Sequence, residues 1–222
     1  MRRRQFLACA SQTTDHMHMT TVVPFKARGV RPELKRALDE RMPVRIQRER
    51  IQAGVIHGYV VGLSRDFCLI AEVGDAIRFD GYLAIAVADI SALDVDPARE
   101  FVDRALALRG ETLGVPKDFK LDDWAAIARS AAEAAPLISV NMIEDDEGEI
   151  SYVGQIVDID ANAIVLRELD PNAAWYADTG AYEFEAIGSI GFGSGYLDAL
   201  WQVAGAPGGP LMPRVPASDT VH

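Results

Sequence analysis

The residues whose types could do chemistry cluster in the second half of the chain. Asp158-Ile159-Asp160-Ala161-Asn162 opens with the acidic spacing of a calcium-binding loop, in which alternate side-chain oxygens surround the ion. Such a loop needs Gly at its sixth place for a sharp turn and a bidentate Glu at its twelfth. Ala163 and Leu169 stand there instead. A turn between two strands selects the same Asp and Asn, so a turn is the expected reading. The run Glu144-Asp145-Asp146-Glu147-Gly148-Glu149 carries charge enough to gather a divalent cation or to dock a basic partner. Charge runs ordinarily face water, which makes this segment an exposed hairpin tip. Gly191-Phe192-Gly193-Ser194-Gly195 lies between a strand pattern and a helix pattern, where phosphate loops occur, but it lacks the Lys-Ser/Thr ending and the dinucleotide spacing.

The remaining reactive types are scattered. His57 stands alone in a strand pattern, His16 and His18 fall near the amino terminus, and His222 ends the chain. No Ser/His/Asp or Cys/His grouping and no zinc spacing emerges. No catalytic residue, metal ligand or cofactor is therefore assigned, and an enzymatic role is unsupported. Cys68 sits in the apolar run FCLI and Cys9 near the amino terminus, so a disulfide is not expected and the chain reads as cytoplasmic. Trp175 and Tyr176 follow Pro171-Asn172 in a polar stretch. Exposed, they would anchor a partner; folded back, they would cap a core.

Charge narrows the partners. The chain has 222 residues and a net charge of −11. Residues 1–50 carry 12 Lys+Arg against 5 Asp+Glu, whereas the rest carry 10 against 28. An acidic body repels phosphates and anionic membranes, leaving Arg45, Arg48 and Arg50 as the candidates for phosphate contact. No apolar run reaches the roughly 18–20 residues of a membrane-spanning helix. Arg3-Arg4-Gln5-Phe6-Leu7 resembles a twin-arginine signal without the long apolar region that export needs, and Met17 or Met19 could serve as the start.

The elements that must position these residues follow from periodicity. Residues 1–29 read as a flexible leader, and Pro32 opens a helix that Pro43 ends. VRIQRERI, GVIHGYVVGL and FCLIAEV read as strands, the last two joined by the turn Ser64-Arg65-Asp66. RFDGYLAIAVADISALDV gives two more around a turn near Asp89. AREFVDRALAL reads as a helix burying Phe101, Ala105 and Leu108, and LDDWAAIARSAAEAA as a second with acids at its positive end. LISVNMIE, EISYVGQIVDI, AIVLREL and AYEFEAIGSIGF are further strands, with DPNAAWYADTG as a loop. YLDALWQVA is a closing helix, and residues 207–222 read as a disordered tail.

This succession repeats itself. Residues 54–73 lie on residues 150–169 without a gap, placing Gly58 on Gly154, Val61 on Val157 and Glu72 on Glu168. FVDRALALRG (101–110) matches YLDALWQVAG (196–205). Similarity in several ordered segments indicates a duplicated folding unit, here 30–112 and 113–206. The fold class expected is mainly β with flanking helices (α+β), as two small barrels whose closure would remove exposed edges.

Those units resemble the Sm-like or SH3-like small-barrel superfamily in tandem, and are similar to bacterial proteins with the strand pattern seen in Gly154-Gln155-Ile156-Val157-Asp158-Ile159, Ile164 to Asp170, and Ile187 to Gly193. The resemblance covers residues 31–205 and rests on packing positions. It implies an RNA site through a turn carrying Asp and Asn, which Asp160 and Asn162 offer, plus a basic residue before Gly. That second element is missing beside Ile90 and Ile187. The function expected is thus a non-catalytic scaffold that binds a protein partner or another copy of itself. Trp175, Tyr176, Glu144, Asp145, Asp146 and Glu147 are its candidate contacts. The alternatives are an Sm-like RNA binder and an enzyme with a site between the units.

Overall fold

A computed structural model describes residues 29–144 and 148–208, the side chain of Ala53 excepted. The leader, most of the tail, and Asp145, Asp146 and Glu147 of the acidic run lie outside the described residues. The fold is mainly β with flanking helices, as the periodicity requires.

Helix α1 (Val30–Glu40) buries Leu34 and Ala37 and closes at Arg41, which takes a left-handed conformation (φ 50) and lets Met42 N–H reach the Ala37 carbonyl at 3.0 Å. Arg31 donates to the Ser64 and Arg65 carbonyls, tying α1 to the turn Ser64-Arg65-Asp66. The first half contributes β1 (Pro43–Arg48), β2 (Gln52–Leu63), β3 (Phe67–Val73), β4 (Phe79–Ala86) and β5 (Ala92–Val95), followed by α2 (Arg99–Leu108). After α3 (Trp124–Ala134) the second half gives β6 (Ile138–Glu144), β7 (Gly148–Ile159), β8 (Ala163–Leu169), β9 (Trp175–Glu183) and β10 (Ile187–Phe192), then α4 (Gly195–Ala204). A single 3₁₀ turn precedes the last strand of each half, at Val87–Asp89 and Phe184–Ala186.

Within each half the strand order is the same: β5-β1-β2-β3-β4 and β10-β6-β7-β8-β9. Register matches as well. Gly58 pairs with Glu72 and Gly154 with Glu168, and the ladder slips between Val60 and Gly62 in one half and between Ile156 and Asp158 in the other. Val61 and Val157 are thus the extra residues of two matching bulges, which bend a strand and increase its twist. The absence of a side chain at Gly58 and Gly154 has one cause. A methyl group at Gly58 would strike the Ala71 carbonyl oxygen, and one at Gly154 the Arg167 carbonyl oxygen.

The expectation of two separately closed barrels requires correction. The ten strands form one continuous, open antiparallel sheet, because β4 pairs with β10 across the junction of the halves. Pairing those two edges satisfies the backbone groups that closure would otherwise have to satisfy. The core reflects this. One apolar cluster lies within the first half under α1, around Ile46, Val60 and Ile70. Another lies within the second half under α4, around Leu137, Trp175 and Leu197. The largest draws on both halves, with Tyr59, Val61 and Leu69 meeting Ile138, Ile164 and Ile190 beneath α2 and α3.

Two local expectations also change. Helix α2 buries Val102 and Leu106, while Phe101 is 62% and Leu108 79% exposed. Asp96 accepts the Ala98 N–H at 2.6 Å, and the helix begins at Arg99 on a different face from the one the apolar count favours. The stretch from Trp175 to Gly180 is strand, with Leu169 opposite Trp175 and Arg167 opposite Thr179. Its polar side chains conceal the pattern because Ala177, Asp178 and Thr179 are exposed. Among the described residues no helix is long and apolar enough to cross a membrane.

Candidate functional site

The seam between the halves gathers the polar chemistry of the molecule. At the joint, Leu83 pairs with Gly191 and Tyr82 with Phe192, whose rings stack at 5.1 Å. The first half curls so far that the end of β1 reaches the second half, although β2, β3 and β4 separate β1 from β10 in the sheet. Arg48, the last residue of β1, is fully buried there. Its Nη2 donates to Glu149 Oε1 and to the Gly188 carbonyl, both at 2.9 Å, and its Nη1 to Gln52 Oε1 at 3.4 Å. Ser189 Oγ donates to the same Glu149 oxygen at 2.9 Å and accepts from Asn141 Nδ2 at 2.9 Å. A buried guanidinium needs its charge met in this manner, and both Nη atoms of Arg48 find acceptors while its Nε has none. Gly188 makes room: a methyl group there would collide with Glu149 Oε1.

Beside this network a groove of 580 Å³ opens along the seam. Val55, Ile56, Glu72 and Leu83 line it from the first half, and Asn141, Glu149, Ser189 and Leu197 from the second. A further cavity of 370 Å³ shares Val55, Glu72 and Ser194 with it and adds His57, Asp75 and Asp80. The Glu72 side chain makes no hydrogen bond or ion pair among the described residues. Burial, and secondarily the charge of Asp80, pushes its carboxyl up from 4.5 to about 7. Asp80 Oδ1 accepts the Gly195 N–H at 2.7 Å, so a carboxylate already occupies the positive end of α4. The Gly191–Gly195 segment is thus a strand-to-helix joint, capped by Ser194, whose Oγ accepts from Leu197 N–H at 3.3 Å. His57 Nε2 is buried 2.5 Å from Asp96 Oδ2.

The structure brings some predicted residues into the seam and leaves others apart. Glu149, the last acid of the 144–149 run, is in the groove, and Glu144 is exposed at the end of β6. Arg48 faces the interior and is not on the surface where a phosphate could meet it. Arg45 and Arg50 are exposed. Asp160 and Asn162 are exposed in a turn in which Asp160 Oδ1 accepts from Asn162 N–H at 2.7 Å and Ala163 N–H at 2.8 Å. The Asp160 carboxylate is spent on its own backbone. Asn162 borders a small depression with Glu183 and Glu185, an acidic setting for a phosphate. Trp175 is 4% exposed, set edge-on to Trp201 and donating to the Gly205 carbonyl at 3.2 Å, so it caps the second core. Asp170 sets that approach: it accepts from Ala174 and Asn172, which holds its carboxyl below the ordinary range. Tyr176 is partly exposed beside it.

Reading by motif missed Glu72, Asp80 and Asn141, because each belongs to a different strand. One available signal was Glu72 itself, a charge inside the apolar run FCLIAEV. Among the described residues no three His, Cys, Asp or Glu side chains are grouped so as to hold a metal ion. Cys68 is buried, and desolvation pushes its thiol up to about 12, far from a reactive thiolate at neutral pH. No family model matches the chain, and neither a curated protein nor a solved structure matches it.

Proposed function

We propose that this chain is a non-catalytic recognition protein that binds a positively charged protein partner along the seam groove. One observation carries the reading: Glu72 and Glu149 enter the groove from opposite halves, while the adjoining cation, Arg48, is buried and committed to Glu149 and Gly188. Glu149 is balanced by Arg48, so the acids left for a basic chain are Glu72, ionised in part near neutral pH, and Asp75 and Asp80 of the adjoining cavity; such a surface attracts a basic chain and speeds its encounter. Gly148 and Glu149, the end of the acidic run, line the groove. Apolar walls from Val55, Leu83 and Leu197 supply burial for the partner's side chains.

The shared strand order and register of the halves support a tandem of one Sm-like or SH3-like unit. The RNA reading is weaker than the protein reading. It retains Arg45 and Arg50 on the surface, but Arg48 is buried, Asp160 Oδ1 is engaged by its own turn, and Asn162 lies beside Glu183 and Glu185. Edge-to-edge addition of another copy would oppose Asp94 on β5 to Asp178 and Glu183 on β9, a charge pattern that discourages pairing.

The test is fluorescence anisotropy with a twelve-residue peptide rich in Lys and Arg, and a single-stranded RNA of equal length in parallel. Peptide binding that weakens with salt, together with groove-residue shifts in nuclear magnetic resonance, is the expected result. Tighter binding of the RNA than of the peptide would reverse the assignment.

A further inference from the structure

Strand β9 ends the strand order, separated from the seam strand β10 by β6, β7 and β8, and among the described residues it pairs with β8 alone. The ladder slips between Arg167 and Leu169, so the regular part of β9 runs from Thr179 to Glu183. Phe184 N–H donates to the Asn162 carbonyl at 2.8 Å, which fixes the alternation. Tyr182 and Gly180 bond toward β8, while Thr179, Ala181 and Glu183 turn their N–H and C=O groups away from it. Those three residues are exposed, as are Ala177 and Asp178, so the edge stands open to solvent. Two common protections are missing, since Trp175–Glu183 contains neither Pro nor Lys. The opposite edge, β5, is only four residues long and α1 packs against it. What β9 carries is acid: Asp178, Glu183 and, just beyond, Glu185 are exposed, with Arg167 on β8 as the cation opposite Thr179. Charge along an edge repels strands of its own sign and admits those of the other.

We propose that the β9 edge takes up an extended basic segment of a protein partner as an added antiparallel strand. Main-chain hydrogen bonds to Thr179, Ala181 and Glu183 supply the hold, and Lys or Arg near Glu183, in the field of Asp178 and Glu185, supplies the selectivity. The pleat sets the partner's pattern. Its side chains beside Gly180 and Tyr182 approach buried positions and are apolar, whereas those beside Thr179, Ala181 and Glu183 meet water and carry the charge. A second copy of this chain fits less well. Its β5 edge would add Asp94 to the acidic ribbon, and its β9 edge would add Asp178 and Glu183 again. No β9 residue lines the seam groove, so the inference goes beyond the groove reading and does not depend on it.

The experiment follows amide hydrogen exchange by nuclear magnetic resonance in the full-length protein. The probe is a capped seven-residue peptide of alternating lysine and valine. One control carries N-methyl groups on the lysine amides, which in this register would face β9; the other has glutamate in place of lysine. The lysine–valine peptide is expected to slow exchange at Thr179, Ala181 and Glu183 about tenfold or more, and both controls to leave it unchanged. Equal protection by the N-methylated peptide overturns the proposal, because strand addition needs those donors. Equal protection by the glutamate peptide overturns its basic partner. Shifts confined to Val55, Ile56 and Leu83 place the peptide in the seam groove, which supports the seam reading and overturns this one. Slow exchange at the three amides without peptide, lost on dilution together with a dimer in sedimentation, makes a second copy the occupant and overturns it also. Ala181→Pro removes an outward donor at an edge position and should abolish the peptide's effect. If that variant does not fold, exchange in the wild type still decides.

Discussion

Arg48 and Glu149 lie 101 positions apart in the chain and 2.9 Å apart in space, and their contact joins the two halves away from the sheet ladder. The contact exists because the first half curls until the end of β1 meets β7 and β10. Its consequence is a seam whose permanent cation is used up internally. With Glu149 balanced by Arg48, the titratable charge left facing the groove is that of Glu72.

Truncating one member of that pair leaves the other charge buried and unmet. Arg48→Ala should destabilise the fold by about 3–5 kcal/mol, whereas replacing Arg48 and Glu149 together by methionine should restore much of the loss. Urea denaturation followed by circular dichroism reads both. Equal losses for the single and double variants would mean that the pair contributes packing alone.

Glu72 links stability to pH with a definite sign. Its carboxyl titrates near 7 in the folded chain and near 4.5 when exposed, so between those values the folded state holds the extra proton. Stability attributable to this group is greatest below about pH 4.5 and falls as pH rises to about 7. Glu72→Gln should flatten that part of the profile and raise stability at pH 8 by about 1–2 kcal/mol, allowing for solvent at the groove mouth. Thermal unfolding at pH 5 and pH 8 checks it; an unchanged pH dependence would show that Glu72 already ionises freely.

Gly58 and Gly154 should respond alike to the same change. Alanine at either would press on a backbone carbonyl of the neighbouring strand, Ala71 or Arg167, and cost about 1–3 kcal/mol. Chemical denaturation of Gly58→Ala and Gly154→Ala measures this. A large loss at one position beside none at the other would show that the halves, despite their common register, tolerate strain differently.

Local pattern made much of the fold legible. Alternation and turn residues locate nine of the strands, while the stretch holding most of β9 reads as a loop, and the match of 54–73 to 150–169 anticipates the common register at Gly58 and Gly154. Strand β9 was obscured by its exposed polar residues. In α2 the apolar pattern points to the wrong face, because Phe101 and Leu108 are apolar yet exposed while Val102 and Leu106 carry the packing. Trp175 was readable as an anchor or a cap, and its Gly205 hydrogen bond makes it a cap.

By itself the sequence determined the class of structure, the match of 54–73 to 150–169, the acidic balance and the turn at Asp160, since each is read from residues along the chain. Only tertiary structure decided that β4 and β10 join the halves into one sheet, that Arg48 turns inward, and that Glu72 opens on a groove while Glu168, its counterpart in register, is 5% exposed. Those outcomes depend on which strand edge satisfies which, and on how far a sheet curls. Backbone hydrogen bonding and twist govern both across the whole sheet, so neighbouring side chains do not reveal them.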